Sequence, residues 1–184
     1  MKAFSYQSLP QGNRAGIVTF SGANDVMVSD ELRQHGFELA NFTYSTWQRI
    51  KKFLPSWQPA THPLDLWPAL GSGNRRVHEE GIWSVLDDEN TDAVVVILLA
   101  LSNADFDGMR EIYQAARQQH PEKPLFTIML GGEVKDKWLL EIEGLRMPVF
   151  ETTRMAIKSL QAMHWYAQIR DRMQPDPRLP GAEC

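Results

Sequence analysis

Val94-Val95-Val96-Ile97-Leu98-Leu99 is the stretch that most restricts how this chain can fold. Six consecutive apolar residues, four of them β-branched, leave no polar side for water. Such a strand is buried on both faces, as in a parallel sheet covered by helices. The full apolar run, Ala93 to Leu101, is far shorter than the ~20 residues a membrane-spanning helix needs. It belongs at the centre of a globular core.

The segments around it alternate in type. Ile17 to Phe20 reads as a first strand, and a helix follows over Val26 to His35, ended by Gly36. Phe37 to Phe42 reads as a second strand. Ser45 or Thr43 then caps a helix that runs through Trp47, Ile50 and Phe53 to Leu54, where Pro55 ends it. Residues 55 to 73, rich in Pro, Trp and Gly, read as a long structured loop. Beyond it come a helix (Val77 to Leu86), the central strand, a helix (Met109 to Gln119), and a strand (Pro124 to Leu130) ending in Gly131-Gly132. A helix (Lys135 to Glu143), a short strand (Pro148 to Phe150) and a long helix (Thr152 to Met173) complete the series.

Alternation of this kind implies a mainly parallel sheet with helices on both faces, joined by right-handed crossovers. The expectation is a three-layer α/β domain over residues 1–173, flavodoxin-like, with five strands in the order 2-1-3-4-5. Residues 174–184 have the composition of a linker, which predicts that the natural polypeptide continues.

Composition narrows the function classes. At 184 residues, 43% hydrophobic and 23% charged, the chain is large enough for a full core and unlike a disordered segment. A net charge of −4 without a basic block argues against nucleic acid and anionic membrane as partners. The N-terminus lacks an apolar segment of signal-peptide length. Cys184 is the one cysteine, so neither a disulfide framework nor a thiolate metal site is available, and a reducing cytoplasm is expected. His35, His78, His120 and His164 lack metal-ligand spacing.

In an open α/β sheet, ligands gather at the carboxyl ends of the strands. Three groups of small residues fall there: Ser21-Gly22-Ala23-Asn24 after strand one, Ser102-Asn103 after strand three, and Gly131-Gly132 after strand four. The first opens a helix, whose free N–H groups form an anion site. Turn and cap duty accounts for the same residues without a ligand. Asp25, in the first helical turn, suits the helix dipole but repels a phosphate, and reads as a cap. His62 and Asp65, held between Pro63 and Pro68, are open to two readings. They form an acid–base pair, or a rigid loop in which Asp65 accepts backbone N–H bonds; without a nucleophile nearby the residues favour the loop. Trp47, Trp83 and Trp138 read as core, whereas Trp57 and Trp67 cover the long loop or face a partner. A phosphoacceptor receiver is excluded, because strand three closes on Leu101-Ser102-Asn103 instead of an aspartate.

Taken together, the chain resembles the NDP-forming acyl-CoA synthetases, relatives of succinyl-CoA synthetase. Gly12-Asn13-Arg14, Ile17-Val18-Thr19, Ser21-Gly22, Ser29-Asp30-Glu31-Leu32, Gly36 to Ala40 and Leu54-Pro55 are similar at familiar spacing. His62-Pro63-Leu64-Asp65-Leu66 looks like that family's Asn-Pro-Val-Asp-Leu motif, and Val85 to Asp88 with Thr91 to Val94 is similar too. The resemblance implies the second flavodoxin-like, CoA-ligase domain. Complete enzymes of the family interconvert acyl-CoA, NDP and phosphate with acid, CoA and NTP through a phosphohistidine. CoA and NDP or NTP with Mg are then implied for the complete enzyme, none held tightly by this chain. The implied partners are CoA-binding and ATP-grasp domains or subunits. By the same resemblance Ser21, Gly22, Ala23 and Asn24 stabilise phosphate through the helix N-terminus, and no catalytic residue lies in this chain.

The family's glycine-rich turn, often Gly-Gly-Pro-Gly, is Ser21-Gly22-Ala23-Asn24-Asp25 here, and His62 stands for the usual Asn. The resemblance predicts a domain inactive by itself. The altered turn suggests, as an alternative, a non-catalytic docking or regulatory module, and a free-standing flavin carrier is a third reading.

Overall fold

The computed structural model describes residues 2–70, 76–101 and 106–173. Ser102 and Asn103, and residues 174–184, lie outside them. Six parallel strands form one sheet in the order β2-β1-β4-β5-β6, with β3 paired to β1. The strands are β1 (Arg14–Thr19), β2 (Glu38–Leu39), β3 (Leu64–Asp65), β4 (Ala93–Ala100), β5 (Leu125–Gly131) and β6 (Val149–Phe150). The order expected from the alternation is therefore present, with a short strand added where the sequence suggested only loop.

The central apolar run is β4, and its side chains divide with the period of two that a strand imposes. Val94, Val96, Leu98 and Ala100 face one cluster, together with Val18, Leu125 and Met129. Ala93, Val95 and Ile97 face the other, with Ile17, Phe126 and Ile128. The first layer is closed by α3 (Tyr44–Lys51), α5 (Arg76–Leu86), α6 (Phe106–Gln119) and α7 (Lys135–Gly144). The second is closed by α1 (Lys2–Tyr6), α2 (Gly22–Gln34) and α8 (Thr153–Met173); α4 (Trp67–Leu70) follows β3. Along α8, Ala156, Ile157, Leu160 and Met163 form a single buried stripe, so this helix packs on its own sheet. A buried polar pair within the first layer is matched: Tyr113 Oη lies 2.8 Å from Thr127 Oγ1, and both residues are buried.

Several stretches that carried the resemblance hold the edge of the sheet opposite the candidate site. The Arg14 guanidinium grips Asp92 with Nε to Oδ2 at 2.8 Å and Nη2 to Oδ1 at 2.8 Å. The backbone N–H of Arg14 donates to the same carboxylate at 2.9 Å, and the Asp92 N–H returns a bond to the Arg14 carbonyl at 2.8 Å. Burial alone would raise the Asp92 carboxyl, but these bonds outweigh it and hold it below the usual carboxylate range. Asp88, 2% exposed, accepts from the Thr43 N–H at 2.9 Å and the Asn90 N–H at 2.9 Å. It thereby fixes the start of α3, where Thr43 is the N-cap and accepts from the Thr46 N–H. Asp92→Ala is expected to lower the unfolding free energy by about 2 kcal/mol in urea titrations. An unchanged midpoint would show that water replaces the carboxylate without loss.

Two segments depart from the expected boundaries. The α2 helix begins at Gly22, four residues before the predicted Val26, because small residues without apolar period still form a first turn. The second strand shrinks from Phe37–Phe42 to Glu38–Leu39, and β3 pairs with β1 farther along at Val18-Thr19.

Candidate functional site

The site begins where β1 ends. Thr19 is fully buried, and its hydroxyl both donates to the Ser21 carbonyl at 2.9 Å and accepts the Ser21 N–H at 2.9 Å. That clasp turns the chain sharply into α2. Ser21 is the N-cap residue, with extended φ and ψ, but its side chain makes no capping bond. Its Oγ instead accepts from Asn24 Nδ2 at 2.8 Å, so these two polar side chains occupy each other. The Asn24 N–H is directed to the Ser21 carbonyl at 3.0 Å. Gly22 and Ala23 contribute the first-turn N–H groups that have no intrahelical acceptor. Asp25 lies within the first turn and is not the cap that the sequence suggested.

Two carboxylates crowd this helix start. Leu64-Asp65 pairs with Val18-Thr19, which brings Asp65 to the end of β1. Asp65 Oδ1 accepts from the Trp67 N–H at 2.9 Å. Its Oδ2 lies so close to Gly22 that a Cβ there would stand 2.8 Å away, so only glycine permits this approach. The Asp25 carboxyl is pushed up, first by burial and further by the charge of Asp65, against a lowering backbone hydrogen bond at Val26. Gln58 Nε2 anchors the loop by donating to the Asp65 carbonyl at 2.6 Å. The surface nearby is apolar: Trp57, Trp67, Val26 and Met27 are all exposed.

His62 is turned away from Asp65. The Ile17 N–H donates to its Nε2 at 2.8 Å, and its Nδ1 lies 2.9 Å from the Ala40 carbonyl. Burial lowers its pKa from 6.5 to about 4, although the Ala40 bond and the charge of Asp88 act in the opposite sense. Both nitrogens are engaged and the ring is neutral, so it forms no acid–base pair with Asp65. Asp65 accepts a backbone N–H, as the rigid-loop reading has it.

Gly131 and Gly132 sit on the same edge but farther out. Thr19 is level with Ile97, whereas β4 continues to Ala100, level with Gly131. The three extra residues amount to about 10 Å of strand. Gly131 has φ +142, and a Cβ there would drive into the Ala100 carbonyl, while Gly132 is unobstructed. Among the described residues no group of three or more His, Cys, Asp or Glu is placed to hold a metal ion. No described helix is long and apolar enough to cross a membrane. Sequence reasoning missed the Thr19 clasp and the Gln58 anchor, which carry no signal along the chain. The signal for His62 was present: a histidine in the Pro-flanked stretch His62-Pro63-Leu64-Asp65-Leu66.

Fold and site together define a flavodoxin-like α/β domain that presents a helix N-terminus at the carboxyl end of its first strand. Comparison with known proteins narrows the class. Over 175 residues the chain is 31% identical to the ADP-forming acetate–CoA ligase II of Archaeoglobus fulgidus, covering 92% of this chain and 25% of that protein. It is 29% identical over 155 residues to the alpha subunit of the ADP-forming acetate–CoA ligase II of Pyrococcus furiosus, covering 82% of this chain and 33% of that one. A crystal structure from Pyrococcus horikoshii OT3 superposes with a TM-score of 0.80 at 26% identity, covering 91% of this chain and 38% of the other. An acetyl-coenzyme A synthetase 1 of Ca. Korarchaeum cryptofilum, solved with phosphate and ADP, shares the fold: its TM-score is 0.76 at 24% identity, over 92% of this chain and 36% of that one. No protein-family model matches the sequence. The chain is a homologue of one portion of the NDP-forming acyl-CoA synthetases. It spans between 25% and 33% of the length of the two ligases just described.

Proposed function

We propose that the chain is the domain of an NDP-forming acyl-CoA synthetase that lends the N-terminus of α2 to a composite site, and that it has no turnover alone. The observation that carries this reading is the alignment of 92% of the chain with one quarter of an acetate–CoA ligase. The remaining parts of such an enzyme, its CoA-binding and ATP-grasp portions, are the proposed partners, in the cytoplasm, with neither nucleic acid nor membrane involved. CoA, the nucleotide with Mg, and a phosphohistidine supply the group transfer when the enzyme is complete. The residues here fit a phosphoryl group presented by another domain better than a free phosphate bound by this one. Gly22 and Ala23 offer peptide N–H groups and the positive end of the helix dipole. Asp25, within the same turn, and Asp65, beside it on β3, oppose that attraction.

Titration calorimetry of the 184-residue chain with CoA, ADP and phosphate, singly and together, tests the reading. No binding is expected from any of them, and acid-dependent consumption of CoA is expected only after the CoA-binding and ATP-grasp portions are added. Tight binding of CoA or nucleotide to the chain alone would overturn the proposal.

The two carboxylates favour a second reading, a docking or regulatory module descended from the same family. Asp25→Gly distinguishes the two in the assembled enzyme. A charge at a helix start is worth about 0.3–1 kcal/mol, so phosphohistidine lifetime is expected to change roughly two- to five-fold if α2 faces it. An unchanged lifetime would favour docking.

A further inference from the structure

The β1–β2 ladder has one irregularity, and it lies at His62. The Ala40 N–H donates to the Ala15 carbonyl at 2.9 Å. In a regular parallel ladder the Ala40 carbonyl would then accept from the N–H of Ile17. The imidazole of His62 stands between those two groups instead. The Ile17 N–H donates to Nε2 at 2.8 Å, and Nδ1–H donates to the Ala40 carbonyl at 2.9 Å. One acceptor and one donor are required, and only the neutral Nδ1–H tautomer supplies both. The ring packs on Phe42, with centroids 4.3 Å apart.

The insertion has a geometric result. It holds β2 away from β1 beyond Leu39 and vacates the edge that Leu64-Asp65 then occupies. We propose that His62 is a positioning residue, a neutral relay spliced into the β1–β2 ladder that sets Asp65 against the N-terminus of α2. An asparagine carries the same pair, one acceptor and one donor, on its amide. His62 and Asn are thus equivalent at this position, despite their different acid–base chemistry elsewhere. Protonation would put an N–H against the Ile17 N–H. Asp88 is the charged group acting on the ring and favours protonation, but burial outweighs it. What Asp65 serves there rests on the function proposed above; the relay itself does not.

NMR of the nitrogen-labelled imidazole in the 184-residue chain tests the relay without any turnover. The expected spectrum has a protonated Nδ1 and an unprotonated Nε2, unchanged from about pH 8 to about pH 5. His62→Asn is expected to keep the amide shifts of Gly22 and Ala23, and His62→Leu to move both. The opposite tautomer, an imidazole titrating near its ordinary 6.5, or a His62→Leu protein with unchanged Gly22 and Ala23 shifts would each overturn the proposal. Should the leucine variant fail to fold, the tautomer and the asparagine variant still decide. Failure of the calorimetric test with the relay intact would refute the function and leave the positioning role standing.

Discussion

Gly131→Ala is expected to destabilise the chain by about 3 kcal/mol or more, through backbone strain and a direct collision. Gly131 ends β5 with φ +142, in a region that side-chain-bearing residues seldom enter. A Cβ built there runs into the backbone of Ala100, its partner across the ladder. Backbone of a central strand cannot swing aside as the tip of a long side chain can, so either the β4–β5 ladder or the turn must give way. For a chain of this size the loss corresponds to roughly a 10 °C fall in Tm. Gly132→Ala is the control, since a Cβ there meets open space. It is expected to stay within about 0.5 kcal/mol of the parent in urea. Equal behaviour of the two variants would show that the strand end adapts. The expected difference means that Gly131 is required by the sheet, whatever binds above it.

Acidification is expected to remove about 3 kcal/mol through His62 alone. Its pKa falls from 6.5 in the unfolded chain to about 4 in the fold, and each unit is worth about 1.4 kcal/mol. Because the folded value is the lower one, the unfolded chain binds the proton first. The contribution of neutral His62 is complete above pH 6.5, declines as the pH falls below that, and is fully lost below about 4. Asp92, whose pKa is lowered from 3.8, loses its contribution only at more acidic pH, so the two windows separate. Asp25, raised from 3.8 by burial, acts in the opposite sense near that value. Urea unfolding of the parent and of His62→Asn across this range isolates the effect, since the asparagine cannot titrate. A constant difference between them would refute it.

Much of the fold was legible because hydrophobic pattern is a local property. The run Val94 to Leu99 required burial on both faces, and Val94 to Leu98 are buried. Alternation of such segments then left few topologies, and the strand order followed. The short strands were not legible. Leu64-Asp65 is two residues long and pairs with an edge of β1 that stands open beside it, where the Ile17 N–H bonds to His62, 45 residues further along the chain. The α2 start was hidden for a related reason: it is shaped by Thr19, Ser21 and Asn24 bonding to one another, not by apolar period.

The candidate site divides along the same line. Its place, at the carboxyl end of the first strand, was fixed by residue order alone, because a strand followed at once by a helix leaves the helix start at that edge. Its chemistry was decided by tertiary structure. Whether His62 is an acid, a ligand or a neutral bridge depends on which groups reach its two nitrogens. Those groups come from elsewhere in the chain, the Ile17 N–H from β1 and the Ala40 carbonyl from just past β2. The same holds for Asp65, which becomes a neighbour of Gly22 only after β3 docks on β1. Periodicity and composition determine which residues are buried, since each is a property of the residue and its sequence neighbours. The protonation and pairing of a polar group are set by whatever packs around it, and only the folded chain supplies that.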